Sequence, residues 1–286
     1  MNMHIYGGAA RFDEQARALT EDELRKAAPS IFATSAHESR SERFAPIPTI
    51  DIVRGLAREG FSVVGAKQAV TRVPGREDFT KHLLRLRRLD AGDKHKVGDT
   101  VFEMLLKNAN DGTCAYDLYA GLFRILCLNS MVADIGSLDS VRVRHSGDVQ
   151  AKVIEGTYTV LETAERALQA PDKWSRVMLA PPERVAFAEA AHSMRFADHE
   201  GVVKTPIQPA QLLEMRRPAD QKNDLWTTFN VVQENVIKGG LHSRGRDANN
   251  RLRRVTSRPI KGIDQDVKLN KALWTLAAKM AELKAA

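Results

Sequence analysis

Cysteine is nearly absent from this 286-residue chain. Cys114 and Cys127 are the only two, too few for a disulfide framework. Their spacing matches no Cys-x-x-Cys pattern, and a four-ligand structural zinc site would need histidines to join them. Both stand among apolar neighbours, so buried free thiols and a reducing, cytoplasmic setting are expected. Aromatic residues make up only 6% of the chain, so the core must rest on Val, Leu, Ile and Ala. No apolar run approaches the roughly 18–20 residues of a membrane helix, so no membrane partner is expected. The first thirty residues hold Asp13, Glu14, Glu21, Asp22 and Glu23 but no apolar stretch after a basic start, so no secretory signal is expected. Walker, GxGxxG and HExxH patterns are all missing. No cofactor, no metal and no catalytic residue are predicted.

What is present is ordinary globular material, 43% hydrophobic and 28% charged, with a surplus of positive charge. Lys plus Arg is 43 against 36 Asp plus Glu, a formal +7. That surplus is local. Residues 237–261 carry Lys238, Arg244, Arg246, Arg251, Arg253, Arg254, Arg258 and Lys261 against the single acid Asp247, which equals the excess of the whole chain. Charge gathered in this way points to a polyanionic partner.

The hydrophobic pattern divides the chain. Residues 1–45 look irregular, with one short helical stretch possible at 13–27, and read as a mobile N-terminal arm. A single α+β domain is predicted over 46–284. It begins with a short helix near 49–59, with Thr49 as a plausible cap and Gly60 as its stop. Residues 61–146 read as four to six antiparallel strands. In the clearest, Leu84 and Leu86 alternate with Arg85 and Arg87, the pattern of a half-buried strand with a basic outer face. Asp111-Gly112 marks a tight turn. The run Leu122–Met131 fits a buried strand or a turn of helix. Val141–His145 alternates again.

From 148 the period becomes helical. Asp148 is a candidate cap for a helix bearing Val149, Val153 and Val160, in which Gly156 should cost about 1 kcal/mol relative to Ala. Leu225, Phe229, Val232 and Val236 follow 4, 3, 4 spacing behind a capping Asp224 and before Gly239-Gly240. Leu269, Leu273, Leu276, Met280 and Leu283 repeat the pattern. The basic segment 238–261 lies between these helices, shows no periodicity and reads as a loop. Loops of more than about 12–15 residues are uncommon unless functional or disordered. The predicted architecture is therefore an antiparallel sheet in the first half, packed by a helical C-terminal half.

Five stretches carry a resemblance. They are LLRLRRL at 83–89, DGTCAYDLYAGLFRILCLNSM at 111–131, VRVRHSGDV at 141–149, LWTTFNVVQENVIKGG at 225–240 and GIDQDVKLNKALWTL at 262–276. The chain resembles the phage- and plasmid-borne family classed as domain of unknown function 932, over most of its length. Ser130 departs from a Gly expected there in many members. The resemblance implies no assigned activity and no assigned site residues. The company such genes keep on mobile elements makes a role on nucleic acid plausible by association only.

The residues themselves support a site hypothesis. Arginines suit phosphate, which they grip bidentately, and they stack on bases. Candidate nucleic-acid contacts are Lys238, Arg244, Arg246, Arg251, Arg253, Arg254, Arg258 and Lys261, extended by Arg85, Arg87, Arg142 and Arg144 on the sheet. The bland alternative is a solvated loop and a solvated sheet face. Trp226 and Trp274 flank the basic segment and could stack on bases, although helix packing explains them as well; Phe229 lies on the apolar stripe. The favoured partner is DNA, single-stranded rather than duplex, bound or annealed without catalysis. A homo-oligomer is expected, because a basic track could continue across subunits. Two rivals stand beside this reading. One is an assembly or host-takeover factor whose basic loop meets an acidic protein. The other is a metal-dependent nuclease using Asp264 or Asp266, although a first-turn acid pair also simply complements the helix dipole. His145-Ser146-Gly147-Asp148 holds catalytic residue types, but strand neighbours point to opposite faces.

Overall fold

A computed structural model describes residues 17–35, 37–38, 48–89, 99–125, 132–145, 148–246 and 250–285. The chain is α+β, with an antiparallel sheet in its first half and helices dominating its second. It forms two compact units, Met1–Leu168 and Gln169–Ala286, where the sequence reading drew one domain over 46–284. No Gly- or Pro-rich linker marks the division. One helix ends at Leu168 and the next begins at Ala170, so nothing in the composition shifts there.

The first unit opens with a short helix, α1 (Glu21–Ala27). Thr20 and Glu23 form a capping box: the Thr20 hydroxyl accepts from the Glu23 N–H, and the Glu23 carboxylate accepts from the Thr20 N–H. A single 3-10 turn, Pro29–Phe32, follows. Leu24, Ala28 and Ile31 are buried in the core, and the Leu19 N–H bonds the Val63 carbonyl. Residues 19–32, part of the stretch read as a mobile arm, are thus built into this unit. Leu24, Ala28 and Ile31 hold 19–32 against the core, and three apolar positions are too few to register as a periodic helix. Residues 1–16, 36 and 39–45 of the arm lie outside the described residues.

Helix α2 (Thr49–Arg58) is capped one residue earlier than predicted. Pro48 is the N-cap, and Thr49 is spent elsewhere, its hydroxyl bonded to His82. Gly60 ends the helix at a positive φ of 87°. Five strands then run as a simple meander in the order β1 (Phe61–Gln68), β2 (His82–Arg88), β3 (Thr100–Asn108), β4 (Tyr116–Ile125) and β5 (Val132–Val143), each antiparallel to the next. The strand reading of Leu122 onward holds as far as Ile125; 126–131 lie outside the described residues. The Asp111-Gly112 turn forms with Gly112 at φ 74°, and the Asp111 carboxylate accepts from the Thr113 N–H.

One sheet face carries Leu84, Leu86, Met104, Leu106, Tyr116, Leu118 and Ala120. It packs with α1, α2 and α3 (Val149–Leu168) into one core. Asp148 caps α3 as predicted, accepting from the Ala151 N–H. Gly156 has a packing reason. A Cβ there would lie 2.8 Å from Val141 Cγ1 and 3.0 Å from Leu118 Cδ1, so the missing side chain lets the helix approach the sheet.

The second unit is helical around an aromatic knot. Helices α4 (Ala170–Ser175) and α5 (Pro181–Phe196) precede two 3-10 turns, at Pro209–Leu213 and Pro218–Asp220. The two strongly patterned helices, α6 (Leu225–Lys238) and α7 (Ile263–Ala285), pack on each other. Phe229 meets Trp274 edge-on at 5.8 Å, and the Gln233 amide donates to Asn270 Oδ1 at 2.8 Å. Trp174 sits 4.5 Å from Trp274 and also faces Trp226 and Phe229. Between α6 and α7 the predicted loop is a two-stranded antiparallel ribbon, β6 (His242–Arg246) with β7 (Leu252–Thr256).

Candidate nucleic-acid interface

The ribbon grows directly out of the end of α6. Asp224 caps the start of that helix, accepting from the Thr227 N–H at 2.8 Å and from its hydroxyl at 2.9 Å. Gly239 ends it at φ 62° and ψ −144°, a conformation that side-chain-bearing residues avoid. A Cβ at Gly239 would stand 2.6 Å from the Ser257 carbonyl oxygen. Only glycine lets the two chains cross there. The crossing is then sewn by Gly240 N–H to Ser257 O, Ser257 N–H to Leu241 O, Leu241 N–H to the Ser257 hydroxyl oxygen, and Ile260 N–H to Ile237 O. Leu241 and Ile260 are buried at the base.

The register of the ribbon fixes which side chains share a face. His242 pairs with Thr256, Arg244 with Arg254 and Arg246 with Leu252; between them Ser243 pairs with Val255 and Gly245 with Arg253. One face rests on Pro206. The Ser243 hydroxyl donates to the Pro206 carbonyl at 2.7 Å, and a Cβ on Gly245 would stand 3.0 Å from the Pro206 ring. The Gln211 amide donates to the His242 carbonyl and braces the strand. The other face carries His242, Arg244, Arg246, Leu252, Arg254 and Thr256, all exposed.

Arg244 and Arg254 stand directly opposite each other. Like charges in that position destabilise a strand pair by a few tenths to about 1 kcal/mol. Among the described residues, neither guanidinium has a carboxylate or any other hydrogen-bond partner. Arg246 donates to the Asn250 carbonyl, which leaves its charge uncompensated. Arg258 and Lys261 are exposed beyond the ribbon's base, and Arg251 and Arg253 are exposed on it. His242, Ser243, Arg244 and Arg254 line an open depression in the surface.

Of the remaining predicted cations, Lys238, Arg85 and Arg87 are committed to carboxylates inside the protein. Lys238 bonds Glu234 at 2.5 Å, and Arg217 bonds the same carboxylate at 2.6 Å. Burial alone would raise the Glu234 carboxyl, but these hydrogen bonds hold it below the ordinary range. Arg85 and Arg87 do face away from the apolar core, yet they do not form a solvated basic face. Both converge on Glu103, which is fully buried; Arg85 Nε lies 2.5 Å from it, and Arg87 is itself 8% exposed. Their cross-strand partner sits a strand away in β3, which a reading of β2 alone does not reveal. Arg142 is 68% exposed but holds the buried Asp117 at 3.0 Å, a carboxylate shared with Lys107 and Tyr119. Arg144 is exposed. These four sheet arginines belong to the first unit and the ribbon to the second.

The rival sites are also engaged. Asn270 donates to the Asp266 carboxylate at 2.8 Å within α7, while its oxygen accepts from Gln233 of α6, so Asp266 holds the amide that joins the two helices. Among the described residues no group of three His, Cys, Asp or Glu side chains is placed to hold a metal ion. His145 Nε2 lies 3.3 Å from the Cys114 carbonyl and its ring packs on Tyr116; Ser146 and Gly147 lie outside the described residues. Burial pushes the Cys114 thiol up to about 12, which leaves it unreactive. His192 is buried and bonds the Ile207 carbonyl. No described helix is long and apolar enough to cross a membrane.

A family model described as "Domain of unknown function (DUF932)" matches residues 36–274. This chain belongs to that family. It is 45% identical over 271 residues to UPF0380 protein YafZ of Escherichia coli (strain K12), covering 94% of each chain. It is 44% identical over the same length to UPF0380 protein YfjQ of the same organism, again covering 94% of each. No solved structure matches it. Within this DUF932 member, the ribbon, its glycine hinge and its Pro206 platform are what sequence reasoning missed. The Gly239-Gly240 pair was the available clue, since two successive glycines after a capped helix mark a forced change of direction.

Proposed function

We propose that this DUF932 member is a non-catalytic nucleic-acid-binding protein that holds backbone phosphates on the β6–β7 ribbon. The observation that carries the reading is the directly opposed, exposed Arg244–Arg254 pair, which has no anion among the described residues to relieve it. A phosphate seated between the two guanidiniums converts that repulsion into charge-assisted hydrogen bonds. Binding would be driven by release of counterions from the nucleic acid, with Arg246, Arg251, Arg253, Arg258 and Lys261 extending the contact. A role in the upkeep or transfer of a mobile element is the setting proposed for it. Trp226 and Trp274, considered from sequence as stacking platforms or as helix packing, both belong to the aromatic knot around Trp174.

The test is fluorescence anisotropy of labelled oligonucleotides across a salt series, with Arg244→Ala/Arg254→Ala as the comparison. Each neutralised phosphate contributes about 0.9 to the slope of log affinity against log salt for duplex DNA and about 0.7 for a single strand. Loss of both arginines, which share one phosphate, should flatten the slope by about 0.7 to 0.9. Absence of binding at low salt, or a slope unmoved by the double substitution, refutes the proposed interface. A pull-down that instead returns an acidic protein would then favour the assembly reading.

A further inference from the structure

The geometry points to duplex DNA, entered through its major groove, as the ligand of the β6–β7 ribbon. This rests on the reading above and makes it specific. A two-stranded β-ribbon is one of the two elements that the major groove of B-DNA, about 12 Å wide and 8.5 Å deep, admits. Here each strand contributes five paired residues. At about 3.3 Å per residue the ribbon is roughly 17 Å long, and its strands lie about 4.8 Å apart. It is supported from one side only. Ser243 and Gly245 seat that side on Pro206, and the opposite face projects with no described element over it.

The chemistry of the projecting face fits base edges as well as phosphates. Arg244, Arg246 and Arg254 are donors of the kind that pair bidentately with guanine O6 and N7. Leu252 is 60% exposed beside Arg246, and Thr256 lies at the other end; apolar side chains and Thr methyls are contacts for the thymine methyl. Arg244 and Arg246 are two residues apart on one strand. That is roughly 6.6 Å, close to two base-pair steps of about 3.4 Å. Arg258 and Lys261 leave the base of the ribbon, where the flanking phosphates of a groove-bound duplex would run.

Other nucleic acids fit less well. Single-strand binders pair a basic groove with exposed aromatic rings on which bases stack. The ribbon's described residues offer one ring, His242, and it is tied to the Thr256 hydroxyl at 2.9 Å. Double-stranded RNA has a deep, narrow major groove that side chains cannot read.

The full chain should be titrated at low salt with a random-sequence DNA duplex, one of its strands alone, and the matching RNA duplex. The DNA duplex is then methylated at guanine N7 with dimethyl sulfate, which blocks the major groove, or pre-bound with distamycin, which fills the minor groove. The expected result is duplex DNA bound at least about ten-fold more tightly than the other two. N7 methylation should weaken it about 5- to 150-fold, the range for losing one bidentate guanine contact, and distamycin should leave it unchanged. Arg244→Ala/Arg254→Ala should remove the methylation effect while tryptophan fluorescence, which reports the knot of the second unit, stays that of the parent. Tighter binding of the single strand, or displacement by distamycin with indifference to methylation, overturns groove entry and leaves phosphate binding standing. No retention of any of the three overturns both.

Discussion

Acid should loosen the first unit through one histidine. His82 opens β2 inside the core, where its Nδ1 lies 2.9 Å from the Ser30 hydroxyl and its Nε2 3.0 Å from that of Thr49. It thereby ties the Pro29–Phe32 turn and helix α2 to the sheet. Burial holds the imidazole down to about 4, against an ordinary 6.5. The sign follows from where the proton binds. Below pH 6.5 the unfolded chain takes up a proton on this residue, and the folded chain does not until about pH 4. Stability from this group is therefore fully present above pH 6.5 and falls as the pH drops toward 4. A difference of about 2.5 units at 1.36 kcal/mol each gives a loss of about 3 kcal/mol across that window. Urea unfolding followed by far-UV circular dichroism at pH 7, 5.5 and 4.5 measures it. Carboxylates add their own acid sensitivity, so the measured quantity is the difference between the parent and His82→Gln, whose amide keeps hydrogen bonding and does not titrate. Trp174, Trp226 and Trp274 all lie in the second unit, so their fluorescence supplies an internal control. A parent and a variant that lose stability in parallel between pH 6.5 and 4 would refute the reasoning.

Three further outcomes follow from packing and charge. Glu103→Gln should cost the first unit about 3–5 kcal/mol in urea unfolding, because Arg85 and Arg87 are then left without their shared anion in a buried place; a loss below about 1 kcal/mol would show that solvent reaches them. Gly156→Ala sets two effects against each other. Helix propensity favours Ala by about 1 kcal/mol, but a Cβ 2.8 Å from the stiff side chain of Val141 should cost about 1–3, so the midpoint should fall, and a rise would mean that α3 can back away from the sheet. Gly239→Ala should abolish salt-sensitive DNA retention and expose 240–257 to proteolysis while α6 persists, because the crossing at Ser257 cannot form; wild-type retention would show that the ribbon does not depend on that hinge.

The architecture was legible wherever one apolar face had to be buried. Leu225, Phe229, Val232 and Val236 on α6, and Leu84 and Leu86 on β2, announce their element by period because each must reach a core. The ribbon gives no such indication. Its inward face meets the protein through Ser243, Gly245 and Val255 on a single proline, and its outward face is Arg, His, Leu and Thr, so no alternation of apolar and polar residues exists to be read. The site was half legible for a related reason. Sequence fixes how many cations a segment holds, but not how many are already spent. Lys238 counts toward the +7 of 237–261 yet belongs to a buried pair with Glu234, and Arg85 and Arg87 read as a basic face until Glu103 arrives from the neighbouring strand. What separates Arg244 and Arg254 from these is position. Strand pairing places them opposite each other in the open, and among the described residues neither has a carboxylate partner. Like charges in that position should cost the strand pair stability, so the two substitutions proposed to weaken nucleic-acid binding should leave the ribbon no less stable than before.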